Sequence, residues 1–244
     1  QSYLFPSIFR VNDLLWSATG VRCTNVDRSD IVYFKERGCC SLKFGVESGS
    51  QAILDSMEKN FTKQDVENAL FACWDNEMYS PLALMVGMPG EGDDTIRETG
   101  EWIGKMAYKL GIPPDHMQYA LFYALPFPGT PLYEYCVQVG LIESDVESEE
   151  RYLIDMADAT TTKWCYLNVN GAPTHNVLAW DYLVEWQAEK TYRKLCKRDQ
   201  PFPTDFVQKW AKSDVDRSEH ASLIKLRTNG IFSRYAITAL CKYI

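Results

Sequence analysis

The sequence predicts an α/β protein with parallel strands, followed by a mostly helical region. Three observations carry this. Short apolar runs near residues 14, 41, 82 and 118 are each followed by a helical pattern, giving a strand–helix alternation over the first 140 residues. The last three runs each end in a turn bearing Gly or Pro, at 47–50, 87–92 and 126–131. Past Gly140 the alternation stops and helical periodicity takes over. Strand–helix–strand alternation implies right-handed crossovers between parallel strands, so the C-terminal ends of the strands share one rim, where such folds bind ligands.

Each element has a local reason. Residues 14–22 read as a strand ending in Arg22, and Asp27 to Asp30 open a helix over about 30–37 that Gly38 stops. The strand at 40–47 runs into Glu47, Ser48, Gly49 and Ser50, with Ser50 placed to cap a short helix carrying Ile53, Leu54 and Met57 on one face. Thr62 with Asp65 three residues on makes a capping box for a helix through about Asn76. Residues 82–86 are a continuous apolar run between Pro81 and Gly87, the pattern of a strand buried on both faces. Asp93 and Asp94 start a helix with a stripe from Ile96 to Leu110, ended by Gly111. A strand follows at 117–123, then a helix over about 131–139 with Pro131 at its first position and Gly140 at its end.

Beyond Gly140, residues 141–158 are acidic and read as a solvated surface connector. Asn170 and Gly171 signal a turn between short β-like pieces. Thr174 or Asn176 is placed to cap a long helix near 177–197, and helical stretches near 204–211 and 218–243 close the chain. The expected division is a barrel-like domain over 1–140 and a helical region over 141–244.

Composition narrows the function. A chain of 244 residues that is 46% hydrophobic can bury one large α/β core, with room for a smaller appendage. Its net charge of −8 argues against nucleic acid as a partner, because binding a phosphate backbone wants clustered Lys and Arg. No apolar run approaches the ~20 residues that span a bilayer. There is no signal-peptide pattern at the start, and Gln1 is not a natural first residue, so a fragment or a processed chain is expected. The eight cysteines are scattered through apolar patterns without a C-x-x-C spacing, which fits reduced core thiols in a cytoplasmic protein. Adjacent Cys39 and Cys40 point to opposite faces of a strand, and His116, His175 and His220 lack metal-ligand spacing. No metal site is expected from these residues.

Glu47 stands out before any family is considered. A carboxylate at the end of a buried strand, beside a glycine that permits close approach, is a costly place for a charge. A carboxylate capping the next helix is the structural alternative.

Taken together, Trp16, Arg22, Gly38, Cys39, the run from Phe44 to Ser50, Leu54, Met57, Lys59, the turn from Gly87 to Glu91, and Pro126 to Glu134 give an ordered set at about forty-residue spacing. This set resembles the radical S-adenosylmethionine (SAM) enzymes, in particular the branch whose members often carry a cobalamin-binding domain upstream. The resemblance covers somewhat more than half of the chain. It implies a partial TIM-like (β/α) barrel, with SAM, a 4Fe–4S cluster and, in that branch, cobalamin as cofactors. The implied chemistry is generation of a 5′-deoxyadenosyl radical for methyl transfer or ring closure on an unactivated carbon of a small-molecule substrate.

The resemblance assigns SAM contacts residue by residue. Glu47 would accept from the ribose or amino group, with Ser48 assisting, and Arg22 would pair with the carboxylate. Gly87, Pro89 and Gly90 would shape a loop along the adenosine, and Phe122 would flank the adenine together with Tyr123 and Phe127. No catalytic residue is assigned. The family's C-x-x-x-C-x-x-C cluster loop is absent from the sequence, so this chain by itself is expected not to cleave SAM. The missing N-terminal half of the barrel or a cobalamin-binding domain is the expected protein partner, and an apolar flank near Leu14 to Ala18 is expected to be exposed. A cluster-free module that binds SAM or a nucleotide, or acts as a scaffold on the same half-barrel, is the alternative. An ordinary metal-independent TIM-barrel enzyme is a third reading, for which Glu47 lacks an evident acid/base partner.

Overall fold

A computed structural model describes residues 15–117, 119–143, 145–157 and 165–196. Contacts divide the chain after Leu195, and every element below lies before that point. The helices expected near 204–211 and 218–243, and Cys241 and His220, fall outside the described residues.

The described elements are β1 (Trp16–Val21), α1 (Arg28–Lys35), β2 (Cys39–Glu47), α2 (Gln51–Ser56), α3 (Lys63–Asp75), β3 (Leu82–Val86), α4 (Asp93–Leu110), β4 (Tyr119–Tyr123), α5 (Pro131–Gln138), α6 (Val146–Ala157), α7 (Thr174–Val177) and α8 (Trp180–Leu195). The strands form one sheet in the order β1-β2-β3-β4, and every neighbouring pair is parallel. Consecutive parallel strands joined through helices make an arc of a TIM-like (β/α) barrel.

The two faces of the sheet differ. Leu42, Phe44, Val46, Leu82, Leu84 and Val86 are at most 1% exposed. They meet the apolar sides of the helices, where Ile31, Val66, Leu70, Ile96, Ile103 and Met106 are also buried. The alternate residues Lys43, Gly45, Glu47, Ala83 and Met85 are only half-buried, and these line the concave side. The continuous apolar run at 82–86 is therefore buried on one face and partly open on the other.

Capping follows the sequence in several places. Asp27 and Thr62 each form a reciprocal capping box, with Asp30 and Asp65. Thr130 caps α5, and Gly111 ends α4 in the left-handed region. Ser50 does occupy the N-cap of α2, but its hydroxyl donates to Glu98 Oε2 at 2.7 Å instead of capping, since a charged acceptor is the stronger partner.

Three expectations are corrected. The acidic stretch contains a helix, α6, because Asp145 caps it by accepting from Ser148 N at 3.0 Å; it buries no residue, so it is a surface element as expected. Residues 165–173 form no strands, although Gly171 does supply a positive-φ turn. The long C-terminal helix is two pieces, α7 and α8, and the carbonyl of Val177 at the break accepts from the Tyr123 hydroxyl at 3.1 Å.

α8 packs along α4 at close range, and glycines make this possible. A Cβ at Gly100 would stand 2.5 Å from the Val184 carbonyl oxygen, and one at Gly104 2.4 Å from that of Ala188. At the first strand, Leu15 is 79% exposed, while Trp16 turns onto Phe34 and donates from its indole N–H to the Arg37 carbonyl at 2.8 Å. Leu14 lies outside the described residues.

Candidate functional site

The C-terminal ends of β1, β2 and β3 bring Arg22, Glu47 and the loop at 87–91 to one rim. Both β1 and β2 lose regular register as they reach it, between Ala18 and Val21 and between Gly45 and Glu47. In β2 the irregularity places two steps of chain against one step of β3, a bulge that re-aims Glu47 at the strand end. Glu47 also has φ +72°, a left-handed conformation that a glutamate adopts only at a cost.

A lysine accounts for where that carboxylate sits. Lys59 Nζ donates to Glu47 Oε1 at 2.8 Å, with both side chains mostly buried. Lys59 is itself flanked by two further left-handed residues, Glu58 at φ +53° and Asn60 at φ +52°. Three of the four described non-glycine residues with positive φ thus surround one ion pair. Gly45 keeps the floor beneath it low, since a Cβ there would stand 3.3 Å from Glu47 Oε1.

Arg22 joins the same cluster through the backbone. Its Nη2 donates to the Lys59 carbonyl and its Nε to Thr24 Oγ1 at 3.2 Å, while the guanidinium lies 5.7 Å from the Phe61 ring centroid. Among the described residues no carboxylate pairs with Arg22, which leaves an exposed cation beside a half-buried anion.

Ser48 is held differently. It is 1% exposed, its hydroxyl accepts from Ser50 N at 3.1 Å, and it shares a 3.2 Å hydrogen bond with Thr99 Oγ1. Thr99 Oγ1 also accepts from Gly49 N at 3.1 Å. The hydroxyl therefore braces the turn after Glu47 against α4.

The loop after β3 is stapled from within. Glu91 Oε2 accepts from Gly87 N at 2.6 Å and from Met88 N at 2.9 Å, while Glu91 Oε1 is buried with no hydrogen-bond partner. Burial pushes the Glu91 carboxyl up to about 7, against the two N–H bonds that lower it. The Gly87 carbonyl accepts from the Tyr166 hydroxyl at 3.2 Å. A Cβ at Gly87 would stand 2.4 Å from the Tyr166 ring, and φ is +88° there, so only glycine fits. Pro89 is half-buried, and Gly90 forms the exposed tip at φ +85° with open space around it.

Phe122 is 39% exposed on the concave face and sits 5.4 Å from Lys43 Nζ, measured to the ring centroid. Tyr123 points the other way: it is buried, stacks edge-on with Tyr166, and donates to Asp181 Oδ1 at 3.1 Å. Phe127 is 54% exposed. The structure thus brings Arg22 and Glu47 into one cluster, places the tip of the Gly87 loop on the same rim, and sets Phe122 on the concave wall.

Sequence reasoning gave no role to Lys59, Glu91, Lys43 or Tyr166. Glu91 had a signal, an acid four residues after a strand-ending glycine. Lys59 stands in the ordered set that carries the resemblance but without a role, and Tyr166 has no signal, because its partners are brought to it only by tertiary folding.

The cofactors that the resemblance implies fit the described residues unequally. SAM suits them in part: a carboxylate that keeps a second oxygen as acceptor, an arginine without an acidic partner, and a glycine tip with open space. A metal cluster does not. No group of three His, Cys, Asp or Glu among the described residues could hold a metal ion. All seven described cysteines are free thiols, and burial pushes Cys39 up to about 11 and Cys73 up to about 12, far from the thiolate form that binds iron.

No family model matches the chain. A Pyrococcus horikoshii protein described as an uncharacterized methyltransferase is 32% identical over 130 residues, which is 53% of this chain and 26% of that protein. Solved structures with some likeness include the radical SAM methyltransferase TsrM from Kitasatospora setae, with cobalamin and a 4Fe–4S cluster bound, at 19% identity and TM-score 0.42, covering 52% of this chain and 24% of that one. Coproporphyrinogen III oxidase (HemN) from Escherichia coli, a radical SAM enzyme, is 13% identical with TM-score 0.42, covering 59% of this chain and 36% of that one. The chain spans about a quarter of the length of the curated relative. No described helix is long and apolar enough to cross a membrane.

Proposed function

We propose that this chain supplies the SAM-binding rim of a radical SAM enzyme of the methyl-transferring or ring-closing type. The observation that carries the reading is the Glu47–Lys59 pair, held by left-handed backbone at the end of a parallel strand. Backbone strain concentrated on one mostly buried ion pair needs a compensating use, and positioning an acceptor for a bound ligand is such a use. The ordered motifs of the sequence and the methyltransferase description of the 32% identical relative support the same class.

In this reading Glu47 accepts from the ribose or amino group of SAM, and Arg22 receives its carboxylate. The tip at Pro89 and Gly90 lies along the adenosine, and Phe122 offers its ring to the adenine. Ser48 positions Glu47 through the turn. SAM would supply the 5′-deoxyadenosyl radical, and the cluster ligands this requires would come from outside the described residues. Cobalamin dependence and a cobalamin-binding partner domain belong to the same proposal.

The test is anaerobic reconstitution of the parent polypeptide with iron, sulfide and dithionite in the presence of SAM. Formation of 5′-deoxyadenosine together with a cluster signal by electron paramagnetic resonance is expected. SAM binding without either product would favour the cluster-free binding module instead.

A further inference from the structure

The concave face of the sheet holds a cation that the SAM rim does not use. Lys43 is half-buried in the middle of β2, on the side away from the helices. Its neighbours on that face are small. Gly45, Ala83 and Ala120 pair in register across β2, β3 and β4, forming a row without bulk. Lys43 lies two residues below this row on β2, and Phe122 two residues above it on β4, so the lysine stem crosses the row to place Nζ 5.4 Å from the Phe122 ring. Met85 is the register partner of Phe122 and continues the apolar wall.

No acidic side chain among the described residues pairs with Lys43; its one contact of note is the Phe122 ring. An ammonium beside a ring face with no anion paired to it keeps its capacity for a charged partner, since the ring quadrupole is a weaker partner than a carboxylate. Elsewhere in the same sheet the chain does provide a partner, as Glu47 for Lys59.

We propose that Lys43 is a substrate-anchoring residue, which takes the carboxylate of a small organic acid whose apolar body lies against Met85 over the Gly45–Ala83–Ala120 floor. A single ammonium with no fork of donors beside it balances one singly charged carboxylate, whereas a phosphate dianion calls for more donors. The floor is built of small residues that put no side chain of their own over the row, and the apolar wall selects against a polar body. The inference rests on the SAM-rim reading to the extent that the bound acid is that enzyme's substrate.

The experiment measures binding of 3-phenylpropionate, its neutral amide and phenyl phosphate to the chain by ligand-observed NMR. It uses wild type, Lys43→Met and Lys43→Arg, with SAM binding measured on the same samples. Wild type is expected to hold the carboxylate at least tenfold more tightly than the amide. Lys43→Met should erase that preference and Lys43→Arg should keep part of it, with circular dichroism unchanged in both. Equal affinity for acid and amide in wild type, or an undiminished preference in a folded Lys43→Met, overturns the proposal. Tighter binding of phenyl phosphate by tenfold or more overturns the assignment to a carboxylate. Since none of the probes contains a SAM moiety, loss of SAM binding alone would count against the rim reading and leave the Lys43 result intact.

Discussion

Lys59 Nζ stands 2.8 Å from Glu47 Oε1, and the backbone is left-handed at Glu47 itself and on both sides of Lys59. The sheet could end β2 more cheaply with glycine at that position. The carboxylate is retained against a local conformational cost, which is the signature of a group placed for something other than stability.

This makes Glu47→Gly an informative variant. Glycine relieves about 1 kcal/mol of left-handed strain, and loss of a partly exposed ion pair costs about the same. The melting temperature should stay within about 4 °C of wild type, while SAM affinity falls at least tenfold. A fall of about 10 °C or more would instead mark the carboxylate as structural.

Glu91 gives a pH prediction. Its folded carboxyl titrates near 7, above the ordinary 4.5, so the folded state holds an extra proton between those values. Stability from this group is complete below about 4.5 and is lost as pH rises through about 7, by up to about 3 kcal/mol. Urea unfolding of wild type should show that slope, and Glu91→Gln should flatten it while one side-chain oxygen still accepts from Gly87 and Met88. An unchanged slope in the variant would mean another group titrates there.

The α4–α8 contact predicts a backbone clash. Alanine is the better helix former by about 1 kcal/mol, yet Gly100→Ala and Gly104→Ala should each destabilise by about 2 kcal/mol or more. The cause is the carbonyl oxygens of Val184 and Ala188, which a Cβ would meet at 2.5 and 2.4 Å. Chemical denaturation midpoints measure the effect; a neutral or stabilising outcome would mean that the helices separate without cost.

Gly87→Ala should disturb the rim loop locally. The new methyl would collide with the Tyr166 ring, and the positive φ adds strain. Amide exchange at Met88 and Glu91 should speed up while exchange in β2 stays slow. The double variant Gly87→Ala, Tyr166→Phe should not rescue it, because the ring and not the hydroxyl occupies the space.

Much of the fold was legible because its signals are local. The capping boxes at Asp27 and Thr62, the glycine stop at Gly111, and the apolar run at 82–86 each depend on residues a few positions apart. The break at Val177 was not legible, since it coincides with a hydrogen bond from Tyr123, 54 residues away. Helix α6 was obscured by its acidity, which marks a surface but does not distinguish helix from connector. Among the site residues, Glu47 was conspicuous as a charge at a buried strand end. Lys59 and Tyr166 were not, because nothing local announces that a lysine will meet that charge or that a ring will fill the space above Gly87.

Whether the Glu47 carboxylate binds SAM is decided by isothermal titration of SAM into wild type and Glu47→Gln. Measurable binding by wild type and at least a tenfold loss in Glu47→Gln are expected, with the fold intact by circular dichroism. Equal SAM affinity in the two proteins, or no binding by either, would contradict a role for Glu47 in binding SAM.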